Sequence, residues 1–485
     1  MAVQITIDDK VLQVEESMTI LEAARENGIH IPTLCYLKQL DPHASCRLCV
    51  VEVEGARTFQ PSCATKVREG MVVRTNTEKI RENRKLTLQM IMAHHPVDCH
   101  HCLRIGSSRE EDLDPKFCEM CFWCDCVRDG ICELQKLNRE YHVDKLPFAV
   151  EGYRYPVDDS LSVVRDANKC VKCRRCVDVC NEVQSVHNLA LSGRGQEMRV
   201  TAAMDKPMAE SPCVRCGRCV DVCPTGAIHM KENMDKMVFY AHSYEATTVG
   251  MVSSSLLADL ENLNNMAPGT LDIHKVIAGM KKIGVDHVIS EEQAVTASCK
   301  AAEKIIGAGL AEGKGEEPVV LSNSYAVKNF VETQFPDLAD KVSYYPSVQE
   351  SFADIAADFF RILGDEKKSL KTAVFTANNE NGAQAAEKGT VDFSMNAREV
   401  YRMFRRTGVE LSLMKPVDPL KLSIDQDFSY TAFTGPIAFN YDAEPEVFKI
   451  NGRLAAVAHN LGQTAKLLEE IRSGACRYDL IRLGA

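Results

Sequence analysis

No segment of the 485-residue chain is apolar over a length that would cross a bilayer. The N-terminal stretch MAVQITIDDKVLQVEE lacks the basic region and apolar core of a secretory signal. Both absences predict a cytoplasmic protein with no membrane span. Basic excess is missing too: 57 Lys and Arg face 68 Asp and Glu, a net charge of −11 that argues against a nucleic-acid partner. Hydrophobic content of 45% and charged content of 26% exclude wholesale disorder. No low-complexity linker is present, so the parts of the chain are expected to pack as one body. No P-loop or flavin motif occurs. Gly307-Ala308-Gly309-Leu310-Ala311-Glu312-Gly313 is one residue too long for the dinucleotide fingerprint and follows a helix-like stretch, so it reads as a helix-terminating loop. Cysteine is scarce in the back half, where Cys299 and Cys476 read as ordinary buried thiols.

The front half is the opposite. Nineteen of the 21 cysteines lie between Cys35 and Cys223. A disulfide scaffold would be short, secreted and cysteine-rich throughout. Here the cysteines fall in close CxxC groups, where neighbouring thiolates converge on one centre, so the composition predicts metal sites in a reducing compartment.

The texture divides the chain into four parts. Residues 1–78 read as β-rich: VQITIDDKVLQVEE alternates across a hairpin turning at Asp8-Asp9-Lys10, and Thr19 to Arg25 is a short helix ended by Gly28. Residues 79–150 open with the helix KIRENRKLTLQMIMAHH and run into a cysteine-dense loop. Residues 151–240 contain two similar cysteine runs. From 241 to 485, helices alternate with short strands, as in PVVLSNS followed by YAVKNFVETQF and RLAAVAHNLG followed by QTAKLLEEIRSG, which predicts an α/β domain.

Cys35, Cys46, Cys49 and Cys63 stand as C-x10-C-x2-C-x13-C, four thiolates that suit a [2Fe–2S] centre with two on each iron. A zinc site would carry paired CxxC at both ends, and only one such pair is present. Cys170, Cys173, Cys176 and Cys180 form C-x2-C-x2-C-x3-C, repeated by Cys213, Cys216, Cys219 and Cys223 with Pro224 following. In this bacterial two-cluster signature the fourth cysteine of each run serves the other cluster. Cys170, Cys173, Cys176 and Cys223 would hold one [4Fe–4S] cluster, and Cys213, Cys216, Cys219 and Cys180 the second.

The order of these motifs resembles the accessory region of large iron-only hydrogenases, including the approach segment YPVDDSLSVVRDANKC, and its first parts are also similar to the largest peripheral subunit of respiratory complex I. In both families, H-x3-C-x2-C-x5-C before a Glu-Leu-Gln-like segment binds a [4Fe–4S] cluster through one His and three Cys. His95-x3-Cys99 matches its start and Cys126-x5-Cys132-Glu133-Leu134-Gln135 its end, with about two dozen residues inserted between. One partition gives His95, Cys99, Cys126 and Cys132 to the family cluster and Cys102, Cys118, Cys121 and Cys124 to an additional [4Fe–4S] cluster. A second gives Cys99, Cys102, Cys118 and Cys121 to zinc in a ribbon-like spacing, leaving His95, Cys124, Cys126 and Cys132 for the cluster. A neutral imidazole in place of a thiolate lowers the negative charge on a cluster and favours its reduced state.

The resemblance implies an α+β multidomain fold: a β-grasp [2Fe–2S] ferredoxin domain, a His-ligated cluster domain, a bacterial 2[4Fe–4S] ferredoxin domain, and an α/β degenerate iron-hydrogenase-like domain. KVIAGMKKIGVDHV, FSMNAREVYRMFRRTGVEL and GRLAAVAHNLGQTAKLLEEIRSGACRYDLI look like hydrogenase segments. The family's hydrogen-forming cluster needs cysteines in three segments. The T-S-C-C-P segment corresponds to Leu321-Ser322-Asn323-Ser324-Tyr325, and M-P-C-x-x-K to Thr376-Ala377-Asn378-Asn379-Glu380-Asn381; the third would lie beyond Ala485. Asn and Ser do not replace thiolates on such a cluster, so no catalytic residue is expected.

What the resemblance implies is an electron-relay subunit of an electron-bifurcating NAD(P)H/ferredoxin oxidoreductase complex. Its partners would be a flavin- and NAD(P)-binding subunit, a thioredoxin-like [2Fe–2S] subunit, ferredoxin, and a hydrogenase or formate dehydrogenase module. The alternatives are a hydrogenase with an altered active cluster, a redox sensor (for which no output domain is visible), or a complex I subunit, against which the tandem ferredoxin and the hydrogenase-like tail both count.

Overall fold

The computed structural model describes residues 2–96, 101–102, 107–108, 126–128, 131–143, 146–148, 154–311, 317–364, 368–377, 379–420, 431–434 and 439–485. Strands β1 (Ala2–Ile7) and β2 (Lys10–Glu15) pair antiparallel across Asp8 and Asp9, whose φ values of 46° and 66° suit short polar side chains. Helix α1 (Ile20–Glu26) starts at a capping box, in which the Thr19 hydroxyl accepts from Glu22 N–H and the Glu22 carboxylate accepts from Thr19 N–H. Strands β3 (Val50–Val53), β4 (Gln60–Pro61) and β5 (Val72–Arg74) complete a sheet of order β2-β1-β5-β3-β4 in which β1 and β5 run parallel. A hairpin and one helix around a parallel central pair is the β-grasp arrangement. Ile5, Ile7, Ile20, Leu21, Val51 and Val73 fill its core.

Helix α2 (Glu78–Met92) is capped by Thr77 and carries a fully buried arginine. Arg84 donates to the Val50 carbonyl at 2.9 Å and to the Tyr141 hydroxyl at 3.0 Å, so one side chain ties this helix back to β3 and forward to the end of α3 (Glu133–Glu140). Leu34, Leu48, Leu88, Leu134 and Leu137 share the apolar layer between them. The short strands β6 (His101–Cys102) and β7 (Ser107–Ser108) pair antiparallel.

The ferredoxin-like part is a duplication held by two small antiparallel pairs. Strand β8 (Val163–Arg165) pairs with β11 (Ile228–Met230), and β9 (Leu189–Ser192) with β10 (Arg199–Ala202). Between them lie two one-turn helices of identical sequence, α4 (Arg175–Asp178) and α5 (Arg218–Asp221). Helix α6 (Met234–Ala241) leads into the back half.

The back half folds as two α/β lobes, and the chain alternates between them. Strands β12 (Ala246–Val252) and β13 (His287–Ser290) belong to the first lobe, β14 (Val319–Ser322) and β15 (Val342–Tyr344) to the second. Strands β16 (Ser369–Phe375) and β17 (Phe393–Met395) return to the first, and β18 (Glu446–Ile450), β19 (Arg453–Val457) and β20 (Leu480–Arg482) finish the second. The first sheet, β13-β12-β16-β17, is wholly parallel; the second, β15-β14-β20-β19-β18, is parallel except for β18. All seven residues of β12 are buried, as in a parallel strand covered on both faces. The flanking helices are α7 (Leu256–Leu263), α8 (Ile273–Ile283), α9 (Glu291–Ala311), α10 (Tyr325–Gln334), α11 (Val348–Leu363), α12 (Asn379–Glu387), α13 (Ala397–Thr407), α14 (Thr431–Thr434) and α15 (Leu461–Ser473).

Two sequence expectations need correction here. Gly307 and Gly309 do not terminate a helix; α9 continues through Ala311. A Cβ on Gly309 would stand 2.9 Å from Val319 Cγ2, so the glycine lets α9 lie close against β14. Cys299 is buried as expected, but Cys476 is only half-buried. Among the described residues, no helix is long and apolar enough to cross a membrane.

Candidate metal centres

The β-grasp domain presents its four thiols as two close pairs. Cys49 and Cys63 have their sulfurs 3.3 Å apart. Cys35 is held down to about 5 by a hydrogen bond from the Cys46 thiol, and Cys49 to about 6 by one from Cys63, while the donor thiols are pushed up. The loop reaches this geometry through left-handed backbone at Ala44 and Arg47, φ 51° and 57°. Both pairs are enclosed: Cys35, Cys49 and Cys63 are buried, and Cys46 joins the apolar layer with Leu34 and Leu48.

The tandem runs cross over as their spacing predicts. Cys170, Cys173 and Cys176 line one cavity with Cys223, the last cysteine of the other run. Conversely, Cys180 lies with Cys213, Cys216 and Cys219, whose thiols it pushes up in addition to the effect of burial. Burial raises Cys213 to about 11 and lifts Cys173, Cys176, Cys216 and Cys219 higher. Thiols buried this deeply resist ionisation unless a cation shares the site.

Backbone N–H groups are turned onto the sulfurs. Lys172 N–H donates to Cys170 Sγ at 3.4 Å, Arg175 N–H to Cys173, Arg215 N–H to Cys213 and Arg218 N–H to Cys216. The inward turn comes from alternating left-handed residues at matching places in the two runs: Lys172 and Arg174 (φ 56°, 71°), then Arg215 and Gly217 (φ 65°, 73°). The buried Nε atoms of Arg175 and Arg218 have no hydrogen-bond partner among the described residues. Converging thiols and main-chain N–H donors around one cavity form a donor set that fits an anionic iron–sulfur cluster.

The middle motif is described only in part. His95 is buried just beyond α2, and its Nδ1 lies 2.7 Å from the Pro96 carbonyl. Cys126 and Cys132 are buried close to one another, and burial together with Cys126 pushes the Cys132 thiol up to about 12. Arg128 docks this loop on the second run, donating to the carbonyls of Val220 at 2.8 Å and Cys223 at 3.1 Å, and Glu133 N–H donates to Pro224 O at 2.9 Å. Of the remaining candidates, Cys102 is seen only as main chain in β6. Cys99, Cys118, Cys121 and Cys124 lie outside the described residues.

In an open α/β sheet the carboxyl ends of the strands are where ligands gather. Here those ends carry hydroxyls and one carboxylate. After β12, Ser253 Oγ donates to Glu291 at 2.7 Å, while Ser254 N–H and Oγ donate to its other oxygen at 3.0 and 3.1 Å. Ser255 Oγ sits 3.4 Å from Thr376 Oγ1 and accepts from Ala377 N–H at 3.3 Å. After β14, Ser322 Oγ donates to the Leu483 carbonyl at 3.0 Å, and Ser324 caps α10 by accepting from Val327 N–H at 3.1 Å. Asn378 lies outside the described residues. No cysteine follows any of these strands.

This combination defines an iron–sulfur electron-transfer protein with a hydrogenase-like α/β domain. Comparison with known proteins agrees. Family models match as "2Fe-2S iron-sulfur cluster binding domain" over residues 1–78, "NADH-quinone oxidoreductase subunit 3, ferredoxin-like domain" over 161–229, and "Iron only hydrogenase large subunit, C-terminal domain" over 246–485. The NADP-reducing hydrogenase subunit HndD of Solidesulfovibrio fructosivorans is 31% identical over 476 residues, covering 94% of this chain and 74% of that one. The chain belongs to the iron-only hydrogenase large-subunit family. The mitochondrial NADH-ubiquinone oxidoreductase 78 kDa subunit of Neurospora crassa is 28% identical over 207 residues, 42% of this chain and only 25% of that protein. A solved chain of an NAD+-reducing [NiFe]-hydrogenase in the H2-reduced state aligns at 27% identity and TM-score 0.39 over 47% of this chain and 87% of its own.

Proposed function

We propose that the chain is the iron–sulfur relay subunit of a multisubunit, electron-bifurcating NAD(P)H/ferredoxin oxidoreductase linked to a hydrogenase or formate dehydrogenase module. The observation that carries this is the crossed meeting of Cys223 with Cys170, Cys173 and Cys176 around one cavity, beside the reciprocal group of Cys180 with Cys213, Cys216 and Cys219. In this reading residues 1–78 hold a [2Fe–2S] cluster on Cys35, Cys46, Cys49 and Cys63. Residues 79–150 hold a His95-ligated [4Fe–4S] cluster, 151–240 hold the tandem pair, and 241–485 form a docking scaffold. Cys102, Cys118, Cys121 and Cys124 complete a further [4Fe–4S] cluster; a zinc ribbon on Cys99, Cys102, Cys118 and Cys121 is the competing assignment. Partners are a flavin- and NAD(P)-binding subunit, a thioredoxin-like [2Fe–2S] subunit and ferredoxin, in the cytoplasm. The relationship to the NADP-reducing hydrogenase subunit supports this setting.

The test is metal counting on anaerobically purified chain, with spectroscopy and a hydrogen assay. The reading expects about 18 iron atoms and no zinc. One zinc with four iron atoms fewer would establish the ribbon assignment instead. Hydrogen evolution from reduced viologen by the isolated chain would overturn the relay role, as would a colourless, iron-free protein.

A further inference from the structure

The duplicated cluster runs share the hexapeptide Arg-Cys-Val-Asp-Val-Cys, at residues 175–180 and 218–223, yet their leading arginines face different neighbours. Arg218 points to the back half, donating to Asp221 at 3.2 Å and to the main-chain oxygen of Ala485 at 2.7 Å, and stacks over the Phe439 ring 4.0 Å away. Arg175 points to the front. Its side chain is 7% exposed and makes a bidentate pair with Glu133, at 2.7 and 2.9 Å. Glu133 directly follows Cys132. Three thiol-bearing segments meet at this spot, because Cys46, Cys132 and Val171 (between Cys170 and Cys173) pack in one apolar layer. Asp178, on the same turn as Arg175, reaches His43 of the β-grasp domain at 2.9 Å.

We infer that the Arg175–Glu133 pair is the electrostatic regulator of this junction, setting the reduction potentials of the [2Fe–2S] cluster on Cys35 and its neighbours and of the [4Fe–4S] cluster on Cys173. The inference rests on the ligand reading above, because only the assigned thiolates put clusters beside the pair. A cluster gains one negative charge when it takes up an electron, so a nearby buried cation favours the reduced form and a nearby carboxylate opposes it. Arg175 is within electrostatic reach of both Cys173 and Cys35. The guanidinium is the buried member and Glu133 is 42% exposed, so solvent screens the carboxylate more and the pair presents a net positive face to the junction. Arg175 thus acts as a positioning and tuning residue, not as a ligand.

Opposite signs make the test specific. In the full anaerobic chain, the [2Fe–2S] signal is followed by electron paramagnetic resonance during a redox titration. That signal reports on a domain to which neither residue belongs. Arg175→Gln leaves Glu133 unneutralised and lowers the midpoint, shifting the reduced-to-oxidised ratio on the order of tenfold, about 59 mV for one electron. Glu133→Gln raises it by a smaller amount. Arg175→Lys retains the charge and stays near wild type, and Arg218→Gln leaves the [2Fe–2S] midpoint where it was. A merely structural role would move both charge variants the same way, or neither, at wild-type iron content, and either result overturns the inference. Should Arg175→Gln fail to fold, Glu133→Gln alone decides by the sign of its shift. A wild-type protein without a [2Fe–2S] signal would instead sink the underlying ligand reading.

Discussion

The front and back halves of the chain treat their loops in opposite ways. In the front, loops at Cys35–Cys63 and in the two tandem runs turn several residues left-handed, bury thiols and aim main-chain N–H groups inward at them. In the back, the loops at the ends of β12 and β14 bury the hydroxyls of Ser253, Ser322 and Ser324, which bond to Glu291, to the Leu483 carbonyl and to the first turn of α10. A thiol cage with inward donors is unfinished without a charged guest, whereas a hydroxyl network is finished by its own partners. In the back half, which matches the iron-only hydrogenase family model, the polar groups at the strand ends serve as caps and braces.

The largest expected effect follows from breaking one cage. Cys176→Ser should cost about four of about 18 iron atoms and bleach the visible absorption in proportion. Cys299 is the contrasting thiol, buried in the back half with its sulfur 3.4 Å from the Thr434 carbonyl. Cys299→Ala should leave iron content untouched. Iron loss from both variants, or from neither, would erase the contrast between the halves.

Next in size is the brace at Glu291. It accepts three hydrogen bonds from Ser253 and Ser254, and Ser253 is buried. Glu291→Ala takes the charged acceptor from the buried Ser253 hydroxyl, while water reaches Ser254, and should destabilise the chain by about 1–3 kcal/mol, read as a lower thermal midpoint at unchanged iron content. Ser324→Ala removes the α10 cap and should cost about 1 kcal/mol. Ser324→Cys should lose that cap similarly and gain no iron; extra iron would mean that the back half still holds a usable cage.

Much of this contrast is legible in the sequence because short patterns and a repeated spacing carry it. The repeated cysteine spacing predicts the meeting of Cys223 with Cys170, and the Asp8-Asp9 hairpin, the short helix that follows it and the strand–helix units at 319–334 and 453–473 follow from short patterns, though Thr19 caps that helix instead of lying within it. Contacts that no repeated spacing marks were not legible. Nothing near residue 175 marks Arg175 as a partner of Glu133, and nothing near Gly309 announces Val319. Gly462 is a similar case: a Cβ there would stand 2.5 Å from the Val183 carbonyl, so α15 can start against the turn beside Cys180 only with glycine. The Glu291 brace was equally hidden, since an acidic residue opening a helix reads as ordinary dipole compensation.

The smallest effect concerns where the two halves meet. Glu399, in the first turn of α13, is buried, and burial raises its carboxyl to about 7 although it accepts from Asn233 and Asn396 main-chain N–H groups. Glu232 lies near enough to add to the rise, and Arg398, which donates to the Cys126 carbonyl at 2.9 Å, partly opposes it. A folded-state value above the unfolded one means the native protein binds the extra proton. Stability from this group is therefore full below about 4.3, the ordinary glutamate value, and is lost as pH rises through about 7. Glu399→Gln cannot ionise, so its thermal midpoint should fall less than that of wild type between those limits. Parallel pH profiles for the two proteins would mean that Glu399 is already charged in the fold. The seam between cluster domains and hydrogenase-like domain would then rest on a carboxylate held by the Asn233 and Asn396 N–H groups instead of a neutral carboxyl.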